Sequence, residues 1–281
     1  MTAAILGADL LAGLSESAVL PLVARALAPE RFPDIGFRDR AAEAICKALE
    51  LDLVAGYRDS YLASLGVISR SWLIDQLVGV FTSRHPGAQV VDLGCGLATT
   101  FERIDNGLVS WIDVDLPSVV SLRQMLFPVN SRRRMVAADL ASPGWFETLE
   151  LAPRPTMIVA DGLFMYLPPA TVRSVIDTLA AGVAGRPCEL VFDYVHPVAV
   201  GRASPLSLPR IGRRAAPSGA SFTWGVRRRD LAPPGSGWQL VRNHAVYARV
   251  GFPYTLVSRV FSRLAGGYLH GIAHLALPPR R

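Results

Sequence analysis

The sequence predicts a doubly wound α/β fold, a mostly parallel sheet between helices, with an N-terminal helical cap and a C-terminal lid. Three observations carry this. From Gly87 to about Val195, short apolar runs alternate with helical stretches, as in βαβ units on a parallel sheet. The run Val90-Val91-Asp92-Leu93-Gly94-Cys95-Gly96 has the pattern of a buried strand that ends in a glycine turn. Aspartates close three successive expected strands, as Asp115, Asp139 and Asp161.

In chain order, the stretch from about Leu10 to Arg84 is helical in pattern. Leu20, Val23, Ala24 and Leu27 recur at i, i+3, i+4 and i+7, and the segment from Trp72 to Phe81 repeats the style. Pro29 and Pro33 punctuate it. Strands are expected at 88–93, 109–114, 135–138, 157–160 and 189–194. From His196 onward Pro, Gly, Ser and Arg are dense. A strand pair at 221–224 and 239–245 is expected there, followed by an amphipathic tail that ends in Pro278-Pro279. Residues 1–85 thus read as the cap, 86–200 as the nucleotide-type core, and 201–281 as remaining core strands with a substrate lid and tail.

Composition narrows the class. The 281 residues are 51% hydrophobic and 19% charged, enough apolar material for a sizeable core. The net charge is +6, and Lys47 is the one lysine among 29 basic residues. The arginine clusters are short, separated and free of aromatic stacking platforms, so no nucleic-acid partner is expected. Cys46, Cys95 and Cys188 are odd in number and far apart, which argues against disulfides or structural zinc and fits a cytoplasmic location. The apolar N-terminus is interrupted by Asp9 and Glu16 and has no basic leader, unlike a signal peptide. No uninterrupted apolar run of roughly 18 residues is present, so neither a membrane span nor a membrane partner is expected.

The chemistry resides in the middle zone. Gly94 and Gly96 let the backbone turn tightly and approach a ligand, and Asp115 lies where a ribose diol meets a carboxylate. Asp113 shares its strand face, but Asp115 is nearer the carboxyl end. Thr99 occupies the third position of G-x-G-x-x-G, where a dinucleotide needs glycine. S-adenosylmethionine, with ribose and adenine but no phosphate, tolerates threonine there, and the chain also lacks a dehydrogenase Lys/Tyr pair. Asp139 with Leu140 can receive an adenine, and Asp161 an amino group, since neighbouring strand ends border one crevice. His270 and His274 have the i, i+4 spacing of a helical zinc pair, but no intervening glutamate or third ligand accompanies them, so no metal is expected.

On these residues the chain resembles the leucine carboxyl methyltransferase family, in its bacterial polyketide O-methyltransferase branch. The carriers are the stretch from His85 to Leu97, Phe101-Glu102-Arg103, the stretch from Trp111 to Pro117, and the stretch from Asp161 to Leu167. Weaker similarity runs from about Ser17 to Pro278. The resemblance implies a class I methyltransferase-like Rossmann fold and an S-adenosylmethionine-dependent O-methyltransferase. Its acceptor would be a carboxyl, phenol or enol of a specialised metabolite. The resemblance also implies that Arg70 holds the cofactor carboxylate, Gly96 lies against its backbone, Asp115 binds ribose, and Asp139 with Leu140 contacts adenine. Two departures motivate the alternative of a degenerate, binding-only chain. Asp161 stands where the family has glutamate, and Ala98 where it has a loop aspartate. A carboxylate acceptor needs no base, whereas a phenol or enol gains from one. Tyr166, Tyr194 and His196 are the candidates for the acceptor pocket. The oligomeric state is left open, with a homodimer entertained.

Overall fold

The computed structural model describes residues 16–49, 51, 61–201 and 221–278. The helices are α1 (Glu16–Ala26), α2 (Ala28–Arg31), α3 (Arg40–Ala48), α4 (Tyr61–Arg84), α5 (Thr100–Ile104), α6 (Pro117–Leu126), α7 (Pro169–Gly182) and α8 (Tyr254–Ala265). The strands are β1 (Gln89–Leu93), β2 (Ser110–Asp115), β3 (Arg133–Ala137), β4 (Thr156–Ala160), β5 (Cys188–Val195), β6 (Gln239–Ala245) and β7 (His270–Leu277). They form one sheet in the order β3-β2-β1-β4-β5-β7-β6. All neighbours from β3 to β5 are parallel, and β7 runs antiparallel to both β5 and β6.

The central strands are apolar on both faces because both faces are covered. β1 and β4 are buried along their whole length. On one face Ile74, Val78 and Phe81 of α4 pack on Val90, Trp111, Met157 and Val191. On the other, Val172, Val175, Ile176 and Leu179 of α7 meet Val91, Ile112, Ile158 and Leu190. Proline at the first helical position starts α6 and α7, where the missing N–H costs nothing. α1 and α3 pack Leu22, Val23 and Ile45 over Leu97 and Leu122, which covers the turn after β1.

The five expected core strands are present within a few residues of their predicted bounds, and so is β6. Residues 221–224 are not a strand. The Thr223 and Trp224 amides both donate to the Met165 carbonyl, at 2.8 and 3.2 Å, and the Trp224 ring packs near Phe164 and Phe192. The partner of β6 is instead β7, in the stretch read as an amphipathic tail. The stretch 202–220, at the start of the part read as core strands and substrate lid, lies outside the described residues.

Candidate functional site

The order β3-β2-β1-β4 places the carboxyl ends of four parallel strands side by side, as the aspartates require. After β1 the chain turns through Gly94 and Gly96, at φ +61° and +47°. Both lie in the left-handed region that glycine enters without a Cβ penalty. The Gly94 amide donates to the Val114 carbonyl at 2.8 Å, and the Gly96 amide donates to Asp115 Oδ2 at 2.7 Å. Oδ1 of Asp115 accepts from the Leu116 amide at 2.8 Å. Burial raises the Asp115 carboxyl, against these two hydrogen bonds. Asp115 is half-buried at the mouth. Asp113 is fully buried and committed, accepting from Arg123 at 2.9 Å, Arg133 at 2.6 Å and the Trp111 indole at 2.9 Å.

On the other side, the loop after β4 crosses the glycine turn. A Cβ on Gly94 would lie 2.6 Å from the Leu163 side chain, so the two segments touch. Asp161 in this loop ion-pairs with Arg70 of α4. Arg70 also donates through Nη1 to Asp193 Oδ2 at 2.7 Å. Asp193 further accepts from the Gly162 amide at 2.7 Å and faces His270 Nε2 at 3.0 Å. Burial would lower the Arg70 pKa, but Asp161 and Asp193 together raise it, with a smaller contribution from Tyr166. The two carboxylates share this cation unequally. For Asp193, burial opposes ionisation, yet Arg70, His270 and the Gly162 amide hold its pKa below the usual value. Burial keeps Asp161 above it, despite Arg70.

Asp139 is exposed just beyond β3, where the Ala138 amide donates to the Asp115 carbonyl at 2.9 Å. Its carboxylate accepts from the Ala141 amide at 2.9 Å, while Leu140 packs against the core. Gly94, Gly96, Asp115, Asp139, Leu140, Asp161 and Arg70 therefore border one continuous edge. Tyr166 lies near enough to Arg70 to act on its charge, and its ring is 5.6 Å from that of Phe222.

Tyr194 and His196 do not reach that edge. Tyr194 is fully buried above Gly271, and its hydroxyl donates to Asn243 at 3.0 Å. Burial pushes that phenol up to about 12. His196 receives the Val198 amide at Nδ1, 3.3 Å, and donates from Nε2 to the Ala265 carbonyl at 3.1 Å. Nδ1 thus caps the turn that follows β5, and Nε2 joins it to the end of α8. His270 and His274 lie on a strand, not a helix, and contact Asp193 and Glu189 respectively.

At position 98, where alanine stands in place of the family's loop aspartate, the glycine turn is held by two buried arginines. Arg123 donates to the carbonyls of Gly96 and Ala98 at 2.7 and 3.0 Å, and Arg25 to that of Leu97 at 2.8 Å. Asp39, the N-cap of α3, anchors Arg25 and Arg103 at 3.1 and 2.6 Å and accepts from Thr99. Sequence reasoning missed this set, and it missed Asp193. The strand-end rule applied to β2, β3 and β4 does not reach Asp193, which stands inside β5, two residues before its end.

Comparison with known proteins matches this architecture. The leucine carboxyl methyltransferase family matches residues 18–180. The tetracenomycin polyketide synthesis O-methyltransferase TcmP of Streptomyces glaucescens is 30% identical over 278 residues, covering 96% of each chain. The chain belongs to the leucine carboxyl methyltransferase family. It is an S-adenosylmethionine-dependent methyltransferase. Among solved structures, a Thermobifida fusca protein described as a methyltransferase superposes with a TM-score of 0.56 at 16% identity, covering 92% of this chain and 94% of that one. A DUF574 family protein from Streptomyces avermitilis gives 0.50 at 15% identity, over 91% and 97%. These two likenesses bear on the fold, which this family member shares.

Proposed function

We propose that this leucine carboxyl methyltransferase family member transfers a methyl group from S-adenosylmethionine to an oxygen of a small-molecule acceptor. The acceptor is a carboxyl, phenol or enol of a specialised metabolite. The observation that carries the proposal is the edge where Asp115 receives the Gly96 amide at 2.7 Å beside the Arg70–Asp161 pair. The residues fit the cofactor's charge pattern. Asp115 accepts two backbone amides yet keeps lone pairs for ribose hydroxyls. Arg70 Nε and Asp161 Oδ1 are in ionic contact but out of line for a hydrogen bond, and neither atom has another partner. A methionine zwitterion completes both, its carboxylate on Arg70 and its ammonium on the less satisfied Asp161. Asp139 and Leu140 take the adenine.

The bound cofactor supplies an electrophilic methyl group on a sulfonium. The chain holds the reactants in place and excludes water. Tyr166, with Met165 and Phe222, forms an apolar wall for the acceptor. We assign residues 1–85 to the cap and 201–281 to the remaining core strands and lid. TcmP, named for polyketide O-methylation, supports an acceptor of this kind.

The test is calorimetric titration with S-adenosylmethionine. Asp115→Ala is expected to weaken binding by about 1–3 kcal/mol, the cost of leaving a buried ribose pair without its acceptor. That is roughly 5- to 150-fold in Kd. Unchanged affinity would mean that the ribose lies elsewhere. Mass spectrometry of a producing-cell extract supplied with protein and cofactor identifies the acceptor as the metabolite that gains one methyl.

A further inference from the structure

Helix α8 is turned the opposite way from an ordinary surface helix. Its half-buried positions are Tyr254, Thr255, Ser258, Phe261, Ser262 and Ala265, so four of the six side chains turned toward the protein carry hydroxyls. Its exposed positions are Leu256, Val257, Arg259, Val260, Arg263 and Leu264. None of its residues is fully buried. A surface helix normally directs its apolar stripe into the core. Here Leu264 is 84% exposed, and Phe252, just ahead of the helix, is 83% exposed. An apolar crest on the outside marks an interaction surface.

Charge selects the partner. Residues 196–281 contain thirteen arginines and a single acidic residue, Asp230, whereas residues 1–195 contain sixteen basic and twenty-two acidic residues. Arg259 and Arg263 stand within the crest. The Arg228 amide donates to the Gly266 carbonyl at 3.2 Å, which brings the exposed run Arg227-Arg228-Arg229 to the carboxyl end of the helix. A second copy docked through the same face would set these arginines against their own counterparts. The inner side of the helix meets the end of β5, where the His196 ring lies edge-on to Phe261 at 5.3 Å.

We propose that α8 and Arg227–Arg229 form a docking surface for an anionic lipid membrane. The aliphatic crest enters the boundary between headgroups and acyl chains, and the arginines pair with lipid phosphates, as in interfacial amphipathic helices. A convex ridge of aliphatic side chains needs only an apolar phase beneath an anionic layer, with no matching groove.

The test is co-sedimentation of the full chain with vesicles of phosphatidylglycerol and phosphatidylcholine, or of phosphatidylcholine alone. Binding to the anionic vesicles is expected to be at least about tenfold tighter and to fall with salt. The double variant Leu256→Ser/Leu264→Ser is expected to lose at least about tenfold, and Arg259→Gln/Arg263→Gln a comparable amount. Both should retain the wild-type Tm, because the altered side chains are exposed. Absence of binding to anionic vesicles would overturn the proposal. So would undiminished binding of the leucine variant, which would reduce the effect to bulk charge. A dimer in sedimentation velocity that the leucine variant dissolves would assign the crest to a second copy and overturn it as well.

Discussion

Arg70 neutralises two carboxylates at once, and its removal should be the costliest single change at this edge. Arg70→Ala leaves Asp161 and Asp193 buried without their cation, a loss of about 3–5 kcal/mol by analogy with broken buried pairs. Asp193→Asn removes a charge but also turns an amide donor toward Arg70, His270 or the Gly162 amide. Its expected loss is about 1–3 kcal/mol. Urea denaturation of both variants checks the order. A larger loss for Asp193→Asn would mean that Arg70 is not the centre of the cluster. Asp115, Gly94 and Gly96 were legible in the sequence because a strand, a turn and a strand-end acid follow a regular spacing. Asp193 was hidden by position, since Tyr194 and Val195 continue the strand past it.

At the scale of elements, the glycine turn and the β6–β7 edge show what spacing reveals and what it conceals. The turn's carbonyls are held by Arg25 and Arg123, from helices before and after it in the chain. Only tertiary structure brings these groups together, so the substitution at position 98 had no visible compensation. β7 escaped notice because a spacing of four suits both periods: His270 and His274 share a face on a helix and equally on a strand. Gly271 supplies the deciding constraint, since the Tyr194 ring leaves no room for a Cβ there, with 2.6 Å to the nearest atoms.

The same edge carries a pH dependence. Burial, with Arg242 and His274 nearby, lowers His244 from 6.5 to about 4. The unfolded chain therefore binds more protons between these values. His244 lowers stability progressively as pH falls from about 6.5 to about 4, and its full contribution is present above the unfolded value. Chemical denaturation across this window should show a flatter pH slope for His244→Gln than for the wild type. Equal slopes would place His244 in water.

For the whole molecule, the parallel core was legible because alternating strand and helix patterns imply βαβ units, and the helices on both faces followed from apolar central strands. The polarity of the molecule was not. Net charge alone conceals that the arginine excess lies in the last third, and a search for membrane spans passes over a twelve-residue helix turned outward. Among the described residues no helix is long and apolar enough to cross a membrane, which leaves surface docking a separate question.

We propose that four strand ends, one glycine turn and the Arg70 cluster form a single adenosyl site. A crystal structure of the protein with S-adenosylhomocysteine tests it most directly. Ribose hydroxyls are expected on Asp115, the amino-acid carboxylate on Arg70 and adenine beside Leu140. Ligand density away from the carboxyl ends of β1 and β2 would contradict it.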